Sequence, residues 1–521
     1  MIDLCQSPFT FQAKNKMTSL TSPLTPLWDG FQYKSHQESG ISWMLERESA
    51  DESGGLLCDE MGLGKTMEIL GTMKNSKKAQ TLLLCPKAVV SQWRTAAIKS
   101  NFTVFEIDGI VWKPTVFRAG ANMLFITNYD RMDKNRMSIF RDRLWDRIVM
   151  DEAHRIRNAK SRLFNDINRL SRKTIWAVTA TPIVNDLQDI RNLFALVGYN
   201  PIMLKNYQSL QRVVSEACIH RSMEEMRSIL PELPAAPIIT KETLDFETEE
   251  EAEFYRGIQG NIMRRWRALE SDQTQVMFVL LMRLRQLSLH PQVYINARKK
   301  NWLGYHRDDW IGSSTKFTQL RKKLEAPDAE PSRWIVFCQF HDEMEILQDY
   351  LNASPAVSHV WQYHGGMTDK QKDGVIEETM TPLTEAGHQV LLLQLQSGGV
   401  GLNLQHFSRV IFMSPWWTAA LMDQAIGRAV RIGQTKLVEV TMLVLKEENS
   451  MNIDEKMLEK VEIKRDMLQR IFMNASRGGL LSEEDRAARG GDMHREEPMT
   501  EEELISEVEG TMLSLIDEDP Q

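Results

Sequence analysis

The stretch Asp59-Glu60-Met61-Gly62-Leu63-Gly64-Lys65-Thr66 limits what this chain can fold into more than any other. It follows the apolar run Gly55-Leu56-Leu57-Cys58 and precedes Met67-Glu68-Ile69-Leu70-Gly71-Thr72-Met73, so it reads as the loop between a short buried strand and a helix. A glycine-bearing loop that opens a helix at Gly-Lys-Thr makes a phosphate cradle. Its glycines allow positive φ and close approach of an anion, and the first N–H groups of the helix attract that anion. Lys65 can reach β- and γ-phosphates, and the Thr66 hydroxyl can ligate Mg²⁺. Strict P-loop spacing would put glycine at 59, where this chain has Asp59. On this stretch alone, a glycine-bearing turn with a surface lysine stays open as the alternative.

The surrounding pattern repeats strand and helix. A helix is predicted from Lys34 to Glu48, with Ile41, Met44 and Leu45 on one face. Its Gln37 has an amide able to pair with the N6/N7 edge of an adenine, a solvated glutamine being the ordinary alternative. Apolar strands follow at 81–85, 123–127, 145–150 and 174–178, with a helix at 89–99. Near-continuous apolar strands separated by helices imply a parallel sheet covered on both faces, whose ligands bind at the carboxyl ends of the strands. The phosphate loop, Asp151-Glu152-Ala153-His154 and Thr179-Ala180-Thr181-Pro182 all stand at such ends. Asp151 can then share Mg²⁺ with Thr66, and Glu152 can orient and deprotonate a water. An acidic pair favoured by a helix dipole is the alternative.

Residues 200–312 are less legible; 247–258 and 276–289 read as helices, the latter with a basic face (Arg283, Arg285). Arg264-Arg265-Trp266-Arg267 suits a phosphate backbone or a solvated helix face. A second strand–helix run begins near Ser313, with strands at 334–338, 360–364, 389–393 and 409–413. A helix over 421–429 leads to Arg428 and Arg431, whose spacing of three places them on one helix face. Two guanidinium forks facing a crevice suit a triphosphate; two surface arginines are the common alternative.

Five motifs occur in order: 59–66, 151–154, Ser397-Gly-Gly-Val-Gly-Leu-Asn-Leu404, Ser414-Pro-Trp-Trp417 and Asp423-Gln-Ala-Ile-Gly-Arg-Ala-Val-Arg-Ile-Gly-Gln434. Together, over about residues 27–446, they resemble the Swi/Snf family of DNA-dependent ATPases in helicase superfamily two. The resemblance implies an α/β fold of two RecA-like lobes with ATP and Mg²⁺ between them, double-stranded DNA across their outer edge, and translocation without strand separation. It implies an adenine contact for Gln37 and a loop from Asp59 through Glu60, Met61, Gly62, Leu63 and Gly64 to Lys65 and Thr66. It also implies Mg²⁺ and water at Asp151 and Glu152, arginine fingers at Arg428 and Arg431, and Gly399 and Gly401 near ATP or the DNA backbone. Trp416 and Trp417 match a family feature, for which packing between strand and helix is the physical role expected. Leu281-Met-Arg-Leu-Arg-Gln286 with His290-Pro291 resembles the subgroup acting in postreplication and excision repair. That subgroup often carries a RING insertion, for which this sequence has no Cys/His ligand set, so ubiquitin-ligase activity is not inferred. Ala180 stands where the family usually has glycine.

The expected organisation is an N-terminal arm at 1–26, an ATP-binding lobe at 27–235, a helical region at 236–312, a second lobe at 313–475 and an acidic tail at 476–521. The five cysteines form no C-x-x-C pair, so no zinc module or disulfide framework is expected. No apolar run approaches the ~18 residues of a membrane span, and no secretory signal is visible. A net charge of -8 disfavours a nucleic-acid partner only until its distribution is seen. Residues 481–521 hold 14 acidic against three basic side chains, a net of -11, which leaves the body at +3. Nuclear residence follows from the DNA role, with chromatin or repair proteins as further partners through the termini.

Overall fold

Strands buried on both faces must be apolar at successive positions, and the runs named above pair side by side accordingly. The computed structural model describes residues 23–50, 54–132, 135–268, 274–302, 304–326, 330–383, 387–398, 402–431, 433–446 and 452–472. The first sheet contains β1 (Gly54–Leu57), β2 (Gln80–Cys85), β3 (Thr103–Asp108), β4 (Val111–Val116), β5 (Met123–Asn128), β6 (Trp145–Asp151), β7 (Arg172–Val178) and β8 (Cys218–Ile219). Their order is β4-β3-β5-β2-β6-β7-β1-β8. Only β3 and β4 pair antiparallel. Buried side chains cover both faces: Leu56, Ile148 and Phe194 lie in one core, Leu57, Ile69 and Trp176 in the other.

The register fixes where chemistry can occur. Leu57, the last residue of β1, and Asp151, the last of β6, both lie level with Val178 of β7. The phosphate loop, the acidic box and the Thr-Ala-Thr run therefore leave the sheet at one height, at the carboxyl ends of three neighbouring strands.

The second sheet contains β9 (Ile238–Leu244), β10 (Arg333–Cys338), β11 (Val357–Tyr363), β12 (His388–Gln394), β13 (Arg409–Phe412) and β14 (Glu439–Leu445). It runs β11-β12-β10-β13-β14-β9 and is parallel throughout. The expected helical region at 236–312 thus begins with a strand of the second lobe: β9 pairs along its whole length with β14. Helices Glu249–Arg267, Thr274–Leu289 and Pro291–Asn301 follow. They share a core that includes Phe254, Ile258, Leu284, Leu287 and, from the second lobe, Leu445.

A further expectation is corrected in this region. Arg283 and Arg285 form no basic solvent face, for both are buried. The Arg285 guanidinium lies 4.3 Å from the ring centroid of Trp416 and 5.1 Å from that of Trp417, and burial pulls it down to about 10. Of the 264–267 cluster, Trp266 turns into the core while the arginines stay exposed.

A last helix, Ile453–Phe472, departs from the expected partition. Ile453 and Met457 join the core of the helical region. Its far end, Ile471 and Phe472, is buried in the core of the first lobe, where Phe472 stacks on His220 with centroids 4.4 Å apart. The helix therefore spans both lobes. The N-terminal arm up to 22 and the acidic tail lie outside the described residues.

Candidate active site

Glycine conformation shapes the loop. Gly62 and Gly64 have φ of 90° and 89°, a region other residues adopt only with strain, and Gly64 caps the helix Lys65–Asn75. The Lys65 ammonium turns back onto the loop and donates to the carbonyl oxygens of Asp59 (2.6 Å) and Glu60 (3.2 Å). Thr66 stands half-buried in the first turn of that helix. Gln37, on the helix Ser35–Ser49, is buried and donates from Nε2 to the Leu63 carbonyl at 3.2 Å, while its Oε1 accepts from the Lys34 N–H at 3.1 Å. It braces the phosphate loop, and its Nε2 lies where a Gly64 side chain would be.

Behind the loop runs a segment to which the sequence reading assigned no role. Cys58 N–H donates to the Ile219 carbonyl (2.7 Å), Glu60 N–H to the Arg221 carbonyl (3.0 Å), and Met223 N–H to Glu60 Oε2 (2.6 Å). Residues 219–223 thus extend β8 along the loop. Leu63 packs with Met223, Met226, Leu230 and Leu233. The Arg221 side chain, wholly buried, pairs with Asp59 and Glu68 and donates to the His36 carbonyl. Gly40 is required here, because a Cβ at that position would collide with the Glu68 carboxyl and come within 3.1 Å of the Arg221 guanidinium. Asp59 therefore faces a buried arginine.

At the end of β6, Asp151 Oδ2 accepts from the Trp93 indole at 2.7 Å and Oδ1 from the Glu152 N–H at 3.0 Å. Burial, with Glu152 beside it, pushes the Asp151 carboxyl up to about 6, against the opposing pull of Trp93 and Lys65. Glu152 sits at φ 52°, the left-handed region, which turns its side chain off the strand. Burial raises Glu152, yet the His154 hydrogen bond and the charges of His154, Lys65 and Arg428 outweigh it and hold it below its ordinary value. His154 Nδ1 lies 3.4 Å from Glu152 Oε2, 3.0 Å from Thr179 Oγ1 and 3.3 Å from Thr181 Oγ1. The acidic box and the Thr-Ala-Thr run are thereby one hydrogen-bonded unit.

The second lobe closes the cleft. Helix Ala419–Ile426 stops before the arginines, because the turn at Gly427 and Arg428 replaces the α-helical ladder; the expectation that Arg428 and Arg431 share a helix face is corrected. Gly427 lies so near the phosphate loop that a Cβ there would be 3.5 Å from Met61 Cβ. Arg428 is buried, is lowered to about 10 by burial, and feels the Glu152 charge and that of Arg431. Arg431 is half-buried beside it. Gly399 and Gly401 lie outside the described residues.

The donor set suits a magnesium nucleotide. Positive-φ glycines, a helix N-terminus and an ammonium bonded to loop carbonyls fit an anion. A hydroxyl and a carboxylate are hard-oxygen donors, and Mg²⁺ is ordinarily held by one or two such side chains plus phosphate oxygens.

A family model described as SNF2-related domain matches residues 36–293, and one described as Helicase conserved C-terminal domain matches 315–433. The chain belongs to the Swi/Snf family of DNA-dependent ATPases. Similar proteins include a "Probable global transactivator" of Orgyia pseudotsugata multicapsid polyhedrosis virus, 25% identical over 82% of this chain and 89% of that protein. Another is the "SWI/SNF-related matrix-associated actin-dependent regulator of chromatin subfamily A member 1" of Mus musculus, 26% identical over 83% of this chain and 42% of that protein. The chain thus spans less than half of the longer relatives. A solved "Sulfolobus solfataricus SWI2/SNF2 ATPase core in complex with dsDNA" is 22% identical with a TM-score of 0.38, covering 89% of this chain and 98% of that one.

Proposed function

We propose that the chain hydrolyses ATP to ADP and phosphate in a duplex-DNA-stimulated cycle and uses it to move along DNA and remodel protein–DNA complexes, in repair or chromatin, in the nucleus. One observation carries the reading: Arg428, from the second lobe, faces Glu152 of the first while Gly427 abuts the phosphate loop. Lys65 and the N–H groups of its helix would bind the β- and γ-phosphates, and Thr66 and Asp151 would hold Mg²⁺. That ion, when bound, neutralises phosphate charge. Glu152, kept ionised, would orient a water and take its proton, with His154 and the two threonines fixing the carboxylate. Arg428 and Arg431 would meet the charge that develops on the transferring phosphoryl, an effect of order 10³–10⁵ in rate for such a finger. Because they reside on the other lobe, any ligand that favours closure raises turnover by shifting populations; duplex DNA gripped by both lobes is proposed as that ligand.

The test is ATP turnover with duplex DNA, single-stranded DNA and RNA. Duplex DNA is expected to stimulate most, and Lys65→Ala or Arg431→Ala to lose at least ~10²-fold in stimulated rate with unchanged thermal unfolding. Stimulation by RNA alone would make the chain an RNA-directed motor, and normal turnover in either variant would remove the assignment.

A further inference from the structure

Asp59 occupies the position at which P-loop spacing calls for glycine, and it brings a carboxylate into the wall of a site built for polyphosphate. The Lys65 ammonium already rests on the backbone oxygen of that same residue, 2.6 Å away, and its charge acts on the Asp59 carboxyl. An unpaired buried carboxylate beside an ammonium draws it in, since the carboxylate, wholly buried, has no water as an alternative partner. Yet the carboxylate points elsewhere. Arg221 Nε donates to both its oxygens at 2.9 Å, and a terminal guanidinium nitrogen pairs with it again. The same nitrogen reaches Glu68 Oε2 at 2.7 Å. All three side chains are fully buried.

We propose that Arg221 is a positioning residue for nucleotide binding: by holding the Asp59 carboxylate it keeps that carboxylate off Lys65 and leaves the ammonium to phosphate. The inference rests on the nucleotide reading of this loop. The geometry of the cluster agrees with it: the guanidinium bonds both oxygens of Asp59 but only one oxygen of Glu68. The backbone of the same segment holds Cys58 and Glu60, so the residue that masks the carboxylate also sets the loop's path.

A purely structural role and this one differ in what Asp59→Asn does to an Arg221 variant. In the full-length chain, Arg221→Met is expected to raise KM for ATP roughly tenfold or more, with a smaller change in kcat, because binding rather than chemistry is lost. Adding Asp59→Asn removes the competing charge and is expected to bring KM back to within roughly threefold of wild type. Direct titration with ATP should follow the same order. If Arg221→Met does not fold, Arg221→Lys carries the test, since it keeps the charge but loses the two-pronged geometry; its KM should rise and again be restored by Asp59→Asn. A wild-type KM in the single variant, or a double variant no better than the single, overturns the proposal while leaving the nucleotide reading intact. Wild-type protein that neither binds nor hydrolyses ATP overturns both.

Discussion

Asp151 serves two opposed demands. A metal-binding carboxylate must be ionised, yet burial and the neighbouring Glu152 charge push it up to about 6 from an ordinary 3.8. The folded state therefore holds a proton that the unfolded state has lost between roughly pH 4 and 6. Stability from this group is complete below pH 4 and is lost as pH rises through 6, an effect of about 2 kcal/mol once its partial exposure to the cleft is allowed for. Denaturant titrations of wild type and Asp151→Asn at pH 4.5 and 7 should show the fall in wild type shrinking by roughly two-thirds of that amount in the variant, pH 4.5 already lying inside the window, while hydrolysis is abolished. Equal falls in the two proteins would mean that the proton resides elsewhere in the pair. Trp93, whose indole donates to the same carboxylate, opposes the shift. Trp93→Phe should move the carboxyl higher still and raise the Mg²⁺ concentration needed for half-maximal turnover, by roughly tenfold if the bond behaves as outer-shell partners of metal ligands generally do.

Among the elements, the helix Ile453–Phe472 has the most to do with how the lobes sit. It starts in the helical region's core, where Asp454 takes the buried Lys316 ammonium at 2.5 Å and the Ser414 hydroxyl at 3.1 Å, and it ends in the core of the first lobe. Phe472 packs on His220, the neighbour of Arg221. Phe472→Ala should cost about 3–4 kcal/mol through the cavity left behind. It should also speed hydrogen exchange in Tyr207–Ala217, against which the helix packs, and in β8, whose Cys218 lies in the same core; exchange accelerated only within the helix itself would show that it does not brace the first lobe. The sequence disclosed neither its span nor its second docking site, because an amphipathic period reveals an apolar face but not which lobe receives it. The same limit explains the other misses. Most strands inside the two sheets were legible as apolar runs, but interior β3, Thr-Val-Phe-Glu-Ile-Asp, and β14, Glu-Val-Thr-Met-Leu-Val-Leu, were not, because polar residues interrupt them. β4, Val-Trp-Lys-Pro-Thr-Val, is an edge strand exposed along most of its length, and Pro114 is tolerated there because an edge needs no second ladder. β9, Ile-Ile-Thr-Lys-Glu-Thr-Leu, is likewise an edge strand, exposed along most of its length with four polar residues in a row, and β8 is two residues long. The motif-bearing side chains of the site were legible because phosphate chemistry dictates residue type at fixed spacing. Arg221, Trp93 and the path of residues 219–223 were not, because a positioning residue is defined by what it touches across 162 positions of sequence.

For the molecule as a whole, charge is distributed so that one part opposes another. The body carries +3 and residues 481–521 carry -11, although the total is only -8. Duplex DNA bound through its phosphates displaces counterions, so affinity depends steeply on salt. A tethered acidic segment competing for the cationic side chains that hold the DNA would do so at an effective concentration of the order of millimolar, and two polyanions cannot share one such set. Removal of residues 481–521 should therefore tighten duplex binding, by roughly tenfold at 50 mM salt, with the gain fading as the Debye length falls below about 6 Å near 0.3 M. It should also lower the DNA concentration required for half-maximal hydrolysis without changing the rate at saturation, since Lys65, Glu152 and Arg428 are untouched. The discriminating measurement is the slope of log K against log salt for both chains. A steeper slope for the shortened chain, converging at high salt, marks electrostatic competition by the tail. Parallel lines would assign the tail's charge to solubility alone, and weaker binding on truncation would make it a positive contributor to the DNA complex.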